Sequence, residues 1–490
     1  MLPFKTLIII DKKSRQHIYL QVAGRMIALI QEGVLKPGQY LPGSRVLAEQ
    51  LKLHRKTIVA AYEELVSQDW IVPVARKGMM VATNLPAVKP RTFQTPASPY
   101  ADTPRFSFAK VPSAHVALQP GVKGNLIIND GFPDVRLAPL ELWLKECRSI
   151  IQNTRYQQHL LHGSGSGNHV LQSEMMKYLS VTRGLNIMVD NIMITRGAQM
   201  AIYLAASLLV KKGDYVIVGN PNYYYADLCF EQLGVRMLRV PVDKDGIDVE
   251  AVEKLCRTKK ISMMYVISHH HHPTTVTLSA ERRMKLLEII RRYNIPVIED
   301  DYDYDFHYSS APIVPLASAD HGGNVIYIGS LTKSLGLSLR LGFMIGPAAF
   351  ISEAASLRKM LDLRGDNLSE EAVAMLLANG TIDRHLKKSN KIYQERRDQL
   401  TYLLQMRLED VVQFEPPAGG MATWVTFSRK YPLPAIAEKA AALGLRMSGG
   451  EVYSHGIQPL NGLRFGFASL NNKELTACIN VLEKVIRGRK

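Results

Sequence analysis

Apolar residues recur at Ile18, Val22, Met26, Leu29 and Ile30, the spacing of one helical face, and Gly33 ends the run. This predicts a helix over residues 16–32. A turn-rich stretch, KPGQYLPGS, follows, and Ser44 is placed to cap a second helix through Leu51. After a break at Lys52 and Leu53, HRKTIVAAYEELVSQ carries another apolar stripe, Ile58, Tyr62 and Leu65, while His54, Arg55, Lys56 and Thr57 crowd its first turn. Two β-type runs, WIVPV and MMVAT, are joined through Ala75, Arg76, Lys77 and Gly78, and the glycine suits a hairpin turn. Helix, helix, turn, helix and hairpin predict a winged helix-turn-helix (α+β) over residues 10–84.

The pattern then changes twice. Prolines from Pro86 to Pro120 punctuate a stretch with no period, which reads as a semi-extended linker over residues 85–124. In residues 125–490, short runs such as VDNIMIT, DYVIVG, VRMLRVPV, ISMMYVIS, IPVIED, NVIYIGS and LGFMIGP alternate with amphipathic helices. Continuously apolar short strands separated by helices predict a mainly parallel α/β sheet covered on both faces. Beyond Gly346 the chain turns helix-rich, then gives two more strand-like runs, ATWVTF and GLRFGFA. The expected division is a large subdomain over about 165–350 and a smaller α+β subdomain from about 125–160 plus 351–490.

Composition narrows the class. A length of 490 residues suggests about three structural units at roughly 150 residues each. The net charge of +16 favours polyanionic partners. Part of it is gathered early, at Lys12, Lys13, Arg15, Arg25, Lys36, Lys52, Arg55, Lys56, Arg76 and Lys77. No apolar run approaches the roughly 18–20 residues that cross a bilayer, and the start makes a poor signal peptide. The four cysteines form no CxxC pair, which argues for a reducing, cytoplasmic setting and against a disulfide or zinc framework.

Two sets of residues carry chemistry. In the first, HRKT opens a helix of the kind that enters a DNA major groove, with polar and basic side chains at its N-terminal half. Arg45, Arg76 and Lys77 are placed to reach phosphates or a groove edge, while Arg55 or Thr57 supplies base discrimination. In the second, Lys333 follows a β-run in a Ser/Thr-rich turn, and IPVIEDDYDYDF ends another. An amine for an aldehyde and a carboxylate for a pyridine nitrogen are what pyridoxal 5'-phosphate (PLP) needs. Asp300 or Asp301 would keep that nitrogen protonated, and Tyr302 would hydrogen-bond the phenolic oxygen. The TRGAQ turn opens a helix whose free N–H groups suit a phosphate, with Ser330, Thr332 and Arg340 completing the cup. One ring of Tyr223, Tyr224 or Tyr225 would lie on the pyridine face. Four consecutive histidines, His269 to His272, raise the possibility of a metal, but neighbours in an extended run point to opposite faces. A pocket-lining or structural role is therefore expected, with no metal.

The chain also resembles known families. PGQYLPGSRVLAEQLKLHRKTIVAAYEELVSQDWI is similar to the GntR-type winged helix-turn-helix, and the resemblance implies DNA contacts at Arg45, Arg55 and Thr57. His54 stands where the family usually has serine, and a basic Lys56 follows Arg55. From about Asn129 onward, GFPD, GSGSGNHVLQSEMMKYLSVTRG, ITRGAQ, NPNYYYA, EDDYDYDF, SLTKSLGLSLR and GLRFGFASL fall in the order of fold-type I, class I/II aminotransferases. The combination resembles regulators of the MocR/GabR type. It implies Lys333 as the Schiff-base lysine, Asp300 on the pyridine nitrogen, Tyr302 on the phenolic oxygen and Tyr223 as the stacking ring. It further implies Ala198, Gln199, Ser330, Thr332 and Arg340 at the phosphate, and Arg464 as receiver of an effector carboxylate. His272 departs from the asparagine of true aminotransferases, Thr275 replaces a glycine, and Leu337 stands where proline is common.

The expected function is a PLP-dependent transcriptional regulator that senses an amine or amino acid and binds operator double-stranded DNA. The alternative is a working aminotransferase with an attached DNA-binding module. His272 and the basic module favour the regulator; half-transamination stays open. The fold resemblance also implies a head-to-tail homodimer.

Overall fold

The computed structural model describes residues 2–11, 14, 16–85, 107, 111, 126–153, 163–308, 313–453 and 460–488. The expected linker over 85–124 therefore lies outside the described residues, apart from Leu85, Ser107 and Val111, as do Lys12, Lys13 and Arg15. The described residues fall into two compact units, one within Met1–Ala109 and one within Lys110–Lys490.

In the first unit, helices Ile18–Gln31, Ser44–Leu51 and Arg55–Ser67 surround a core of Val22, Met26, Leu29, Leu47, Ile58, Ala61 and Leu65. Phe4 and Ile8, upstream of residue 10, are buried in the same core. Ser44 does not cap its helix: Gly43 holds the N-cap position, and Ser44 is the first helical residue. The turn between the second and third helices places Lys52 in the left-handed region (φ 53°), where Leu53 N–H reaches back to Ala48 O at 3.0 Å. Strands Ile71–Val74 and Gly78–Val81 pair antiparallel, with Arg76 (φ 62°) and Gly78 (φ 101°) both left-handed in the tight turn.

The second unit is built on an eight-stranded sheet. Its order is Ile192–Thr195, Gly342–Ile345, Val325–Ser330, Val297–Asp301, Ile261–Val266, Tyr215–Asn220, Arg236–Asp243, Gly246–Ile247. All seven predicted runs are strands. The central pairs are parallel, but Gly342–Ile345 runs antiparallel to both neighbours. The reason is the connection: residues 331–341 hold only the one-turn helix Thr332–Leu335 and a turn, too short for a crossover back to a parallel strand. Both faces are buried, with the alternation a strand imposes. Val216, Val218, Met263 and Tyr265 enter one core, while Ile217, Met264 and Val266 enter the other. The smaller region holds the antiparallel strands Val412–Phe414, Ala422–Phe427 and Gly462–Gly466, the first of which the sequence pattern does not mark. The pair Leu126–Ile127 and Leu445–Arg446 joins residues from both ends of this unit.

Candidate functional site

The parallel strands end on one side, and the loops that follow them build a cavity of about 380 Å³. Its wall contains Lys333, Asp300, Tyr302, Tyr223, Ala198, Gln199, Ser330, Thr332, Arg340 and Arg464, every residue proposed from sequence for the cofactor and effector. Lys333 follows strand Val325–Ser330 in the one-turn helix. Its Nζ donates to Gly131 O at 2.8 Å and stands 4.8 Å from the Phe132 ring centre. Burial brings this ammonium down to about 8, with Arg464 and Arg340 pushing the same way and Asp303 and Asp130 opposing.

Strand Val297–Asp301 separates two candidates that the sequence left open. Asp300 lines the cavity, whereas Asp301 turns to the other face and accepts from Tyr327 Oη at 2.9 Å and His269 Nδ1 at 3.1 Å. Asp300 Oδ2 accepts from Tyr265 Oη at 2.6 Å, and Oδ1 is buried with no partner. Burial, with Asp301 and Asp303 adding to it, pushes the Asp300 carboxyl up to about 7 despite the tyrosine. A buried acceptor with one unfilled oxygen is suited to a cationic N–H.

Also on the cavity wall, helix Ala198–Leu209 begins at Gly197, whose φ of 85° is open to glycine. A Cβ there would meet Arg340 Nη2 at 2.8 Å, so the glycine leaves the guanidinium room beside the helix start. Free N–H groups, a helix dipole and an arginine form an anion cradle. Asp300, this cradle and the amine of Lys333, gathered on the wall of one cavity, match in kind the three attachment points of PLP.

Other residues were placed less simply. Tyr302 Oη donates to His270 O at 2.7 Å and accepts from Arg464 Nη2 at 2.9 Å. Arg464, 2% exposed, also donates to Asp130 O and Pro273 O, each at 3.2 Å. Asp130, absent from the sequence reading, puts a carboxylate oxygen 3.7 Å from Arg464 Nε and accepts from His272 Nε2 at 2.6 Å and Tyr453 Oη at 2.7 Å. The histidines do not form the extended run expected. His270 (φ 43°) and Thr275 (φ 61°) bend the segment, all four rings are buried, and each has a separate partner: Asp301, Asp303, Thr274 and Asp130. The partners lie in three places, the end of strand Val297–Asp301 with the loop after it, the histidine segment itself, and the Asp130 turn, which one straight strand could not reach.

In the winged unit, Arg45, Arg55, Lys56, Arg76 and Lys77 are exposed and Thr57 is half-buried. His54 takes the N-cap position, its Nδ1 accepting from Lys56 N–H at 3.2 Å, and Arg55 Nε reaches Ser44 Oγ at 3.4 Å. The histidine thus performs the capping work of the usual serine.

The sequence profile of the family described as "Aminotransferase class I and II" matches residues 133–482. The chain belongs to that family. A second profile, "Bacterial regulatory proteins, gntR family", matches residues 18–81, the winged unit. Over 482 residues the chain is 24% identical to the "Probable rhizopine catabolism regulatory protein MocR" of Rhizobium meliloti, covering 97% of this chain and 95% of that one. It is also 24% identical over 449 residues to the "HTH-type transcriptional regulator TauR" of Rhodobacter capsulatus, covering 88% and 89%. Among solved structures, an archaeal alanine:glyoxylate aminotransferase superposes with a TM-score of 0.71 at 27% identity, covering 76% of this chain and 92% of that one. The second unit therefore has the fold-type I aminotransferase fold, whose members depend on PLP in general. A GntR-type winged helix joined to this fold is the MocR-type combination. Among the described residues no helix is long and apolar enough to cross a membrane.

Proposed function

We propose that the protein is a DNA-binding transcriptional regulator whose aminotransferase-like unit holds PLP through Lys333 and responds to an amine or amino acid. The observation that carries this reading is the convergence of Lys333, Asp300 with its unfilled oxygen, and the Gly197–Arg340 cradle on one cavity, in a chain that also carries an exposed basic recognition helix. When bound, PLP supplies an aldehyde to an amine and an electron-withdrawing ring. The chain's own residues do the rest. Burial keeps a share of Lys333 as free amine, the reactive form. Asp300 would hold a proton on the ring nitrogen. The Ala198 and Gln199 amides, Ser330, Thr332 and Arg340 would hold the phosphate, and Tyr223 would cover a ring face. Tyr302, whose hydroxyl hydrogen is given to His270 O, would donate to the phenolic oxygen only by releasing that bond. Arg464, tied to Asp130 and Tyr302, would receive an effector carboxylate only by sharing those contacts.

On DNA, Arg45, Lys56, Arg76 and Lys77 would contact phosphates while Arg55 and Thr57 read bases. A head-to-tail homodimer would present two winged units to two half-sites in the cytoplasm. Domain limits of 10–84, extended upstream to take in Phe4 and Ile8, and of 125–490, joined by the 85–124 linker, accommodate this division of labour. The effector changes operator affinity only by binding two states of the protein unequally. Operator fragments selected by the full chain, titrated in the presence of PLP with and without candidate amines, test the reading. A shift in DNA affinity on adding an amine, abolished in Lys333→Ala, is expected; sustained keto-acid-dependent turnover with no effect on DNA binding would favour the enzyme instead.

A further inference from the structure

Three polar side-chain atoms on the cavity wall are buried without a partner: Asp300 Oδ1, Gln199 Oε1 and His272 Nδ1. Besides its aldehyde, PLP has three polar positions, its ring nitrogen, its phosphate and its phenolic oxygen. Asp300 is placed for the nitrogen, whereas the Gln199 oxygen is an acceptor, its amide nitrogen being given to Tyr225 O, and does not match the phosphate. His272 is left for the phenolic oxygen. Tyr302, the expected donor there, has its one hydroxyl hydrogen committed to His270 O at 2.7 Å.

The other side of the His272 ring is already fixed. Burial works to raise the Asp130 carboxyl, but His272, Arg464 and the Tyr453 hydroxyl outweigh it and hold the group down at about 2. Asp130 is therefore an anion and an acceptor, so the 2.6 Å contact requires a hydrogen on His272 Nε2. Nδ1 faces the remaining choice, lone pair or N–H. We propose that His272, held by Asp130, donates an Nδ1 hydrogen to the phenolic oxygen of the bound cofactor and so acts as a positioning residue. The inference rests on the PLP reading above. The charged and titratable groups that face the His272 ring are Asp130, Lys333, Arg464, His271, Tyr223, Tyr302 and Tyr453. Burial, Arg464 and Lys333 disfavour a second proton on the ring, and Asp130 favours it. A negative phenolic oxygen against Nδ1 would act with Asp130 in favour of that second proton.

The test is a visible-absorption pH titration of the full chain loaded with PLP, together with the PLP dissociation constant. A donor at the phenolic oxygen stabilises the negative charge that remains after the lysine–cofactor linkage loses its proton. Removing it in His272→Phe is expected to move the spectral transition to higher pH by about one unit and to weaken PLP binding roughly 10- to 100-fold, the effect of losing a hydrogen bond to a charged group. His272→Asn, which keeps a donor, is expected to titrate close to wild type. Asp130→Asn keeps its shape but withdraws the charge behind the ring, and is expected to move the transition in the same direction. An unchanged transition in either His272→Phe or Asp130→Asn overturns the assignment, so a misfolded phenylalanine variant leaves it open to refutation. A wild-type protein that takes up no PLP overturns it together with the reading beneath it; cofactor uptake with a phenylalanine variant that titrates like wild type overturns it alone.

Discussion

The two units put their charges to work in opposite ways. In the winged unit, Arg45, Arg55, Lys56, Arg76 and Lys77 stand in water. In the cavity, Asp300, Arg464 and His272 are buried and Lys333 and Asp130 half-buried, and burial is the largest influence on each. Exposed charge acts at long range, is screened by salt and tolerates change in any single member. Enclosed charge acts at contact distance, is little affected by salt and depends on every partner. The same +16 chain therefore holds a surface suited to a long polyanion and a chamber suited to one small molecule.

Substitutions and conditions sharpen this contrast, beginning with the most severe. Lys333→Ala is expected to abolish covalent PLP capture entirely, measured by borohydride trapping, while the salt dependence of DNA binding stays as it was. Salt divides the units next. Four basic side chains on phosphates give a slope of log affinity against log salt of about −3 to −4 per winged unit, roughly a hundredfold loss between low and moderate salt, with PLP retention nearly unchanged. A flat DNA response would break the comparison. Arg55→Ala should cost operator affinity about 1–3 kcal/mol and relax sequence preference without altering the cofactor spectrum. For pH, the free amine is the form that captures the aldehyde. Because the Lys333 ammonium is brought down to about 8, the capture rate should climb as pH rises toward 8 and flatten above it. An unburied lysine would still be accelerating there. The smallest effect is His54→Ala, which removes the acceptor for Lys56 N–H and should cost the recognition helix about 1 kcal/mol. Faster hydrogen exchange in its first turn would report this.

Sequence pattern carried most of the architecture, because strands buried on both faces are continuously apolar and the loops after them hold the polar residues. Lys333 and Asp300 were legible for that reason: each ends or follows a β-run. The cavity's other acid was not. Asp130 meets His272 across 142 residues and Tyr453 across 323, and nothing local in GFPD or its flank announces those partners. The same holds for Tyr265, whose hydroxyl fixes Asp300 from the middle of an apolar strand. The reversed strand Gly342–Ile345 has the apolar run of its parallel neighbours, and only the short connection before it sets its direction. The bends among the histidines were illegible because three of the four rings pair with acids distant in sequence, Asp301, Asp303 and Asp130. In the winged unit, by contrast, helices and hairpin are marked locally, and the differences are the cap at Ser44 and the burial of Phe4 and Ile8 upstream of residue 10.

The central claim is that burial at the ends of the parallel strands makes one lysine, among many, the one that captures a pyridoxal aldehyde. Incubating the full chain with PLP, reducing with borohydride and mapping the adduct by peptide mass spectrometry tests it directly. A single stoichiometric phosphopyridoxyl group on Lys333 is expected. Label scattered over exposed lysines such as Lys56 and Lys77, with Lys333 unmodified, would contradict it.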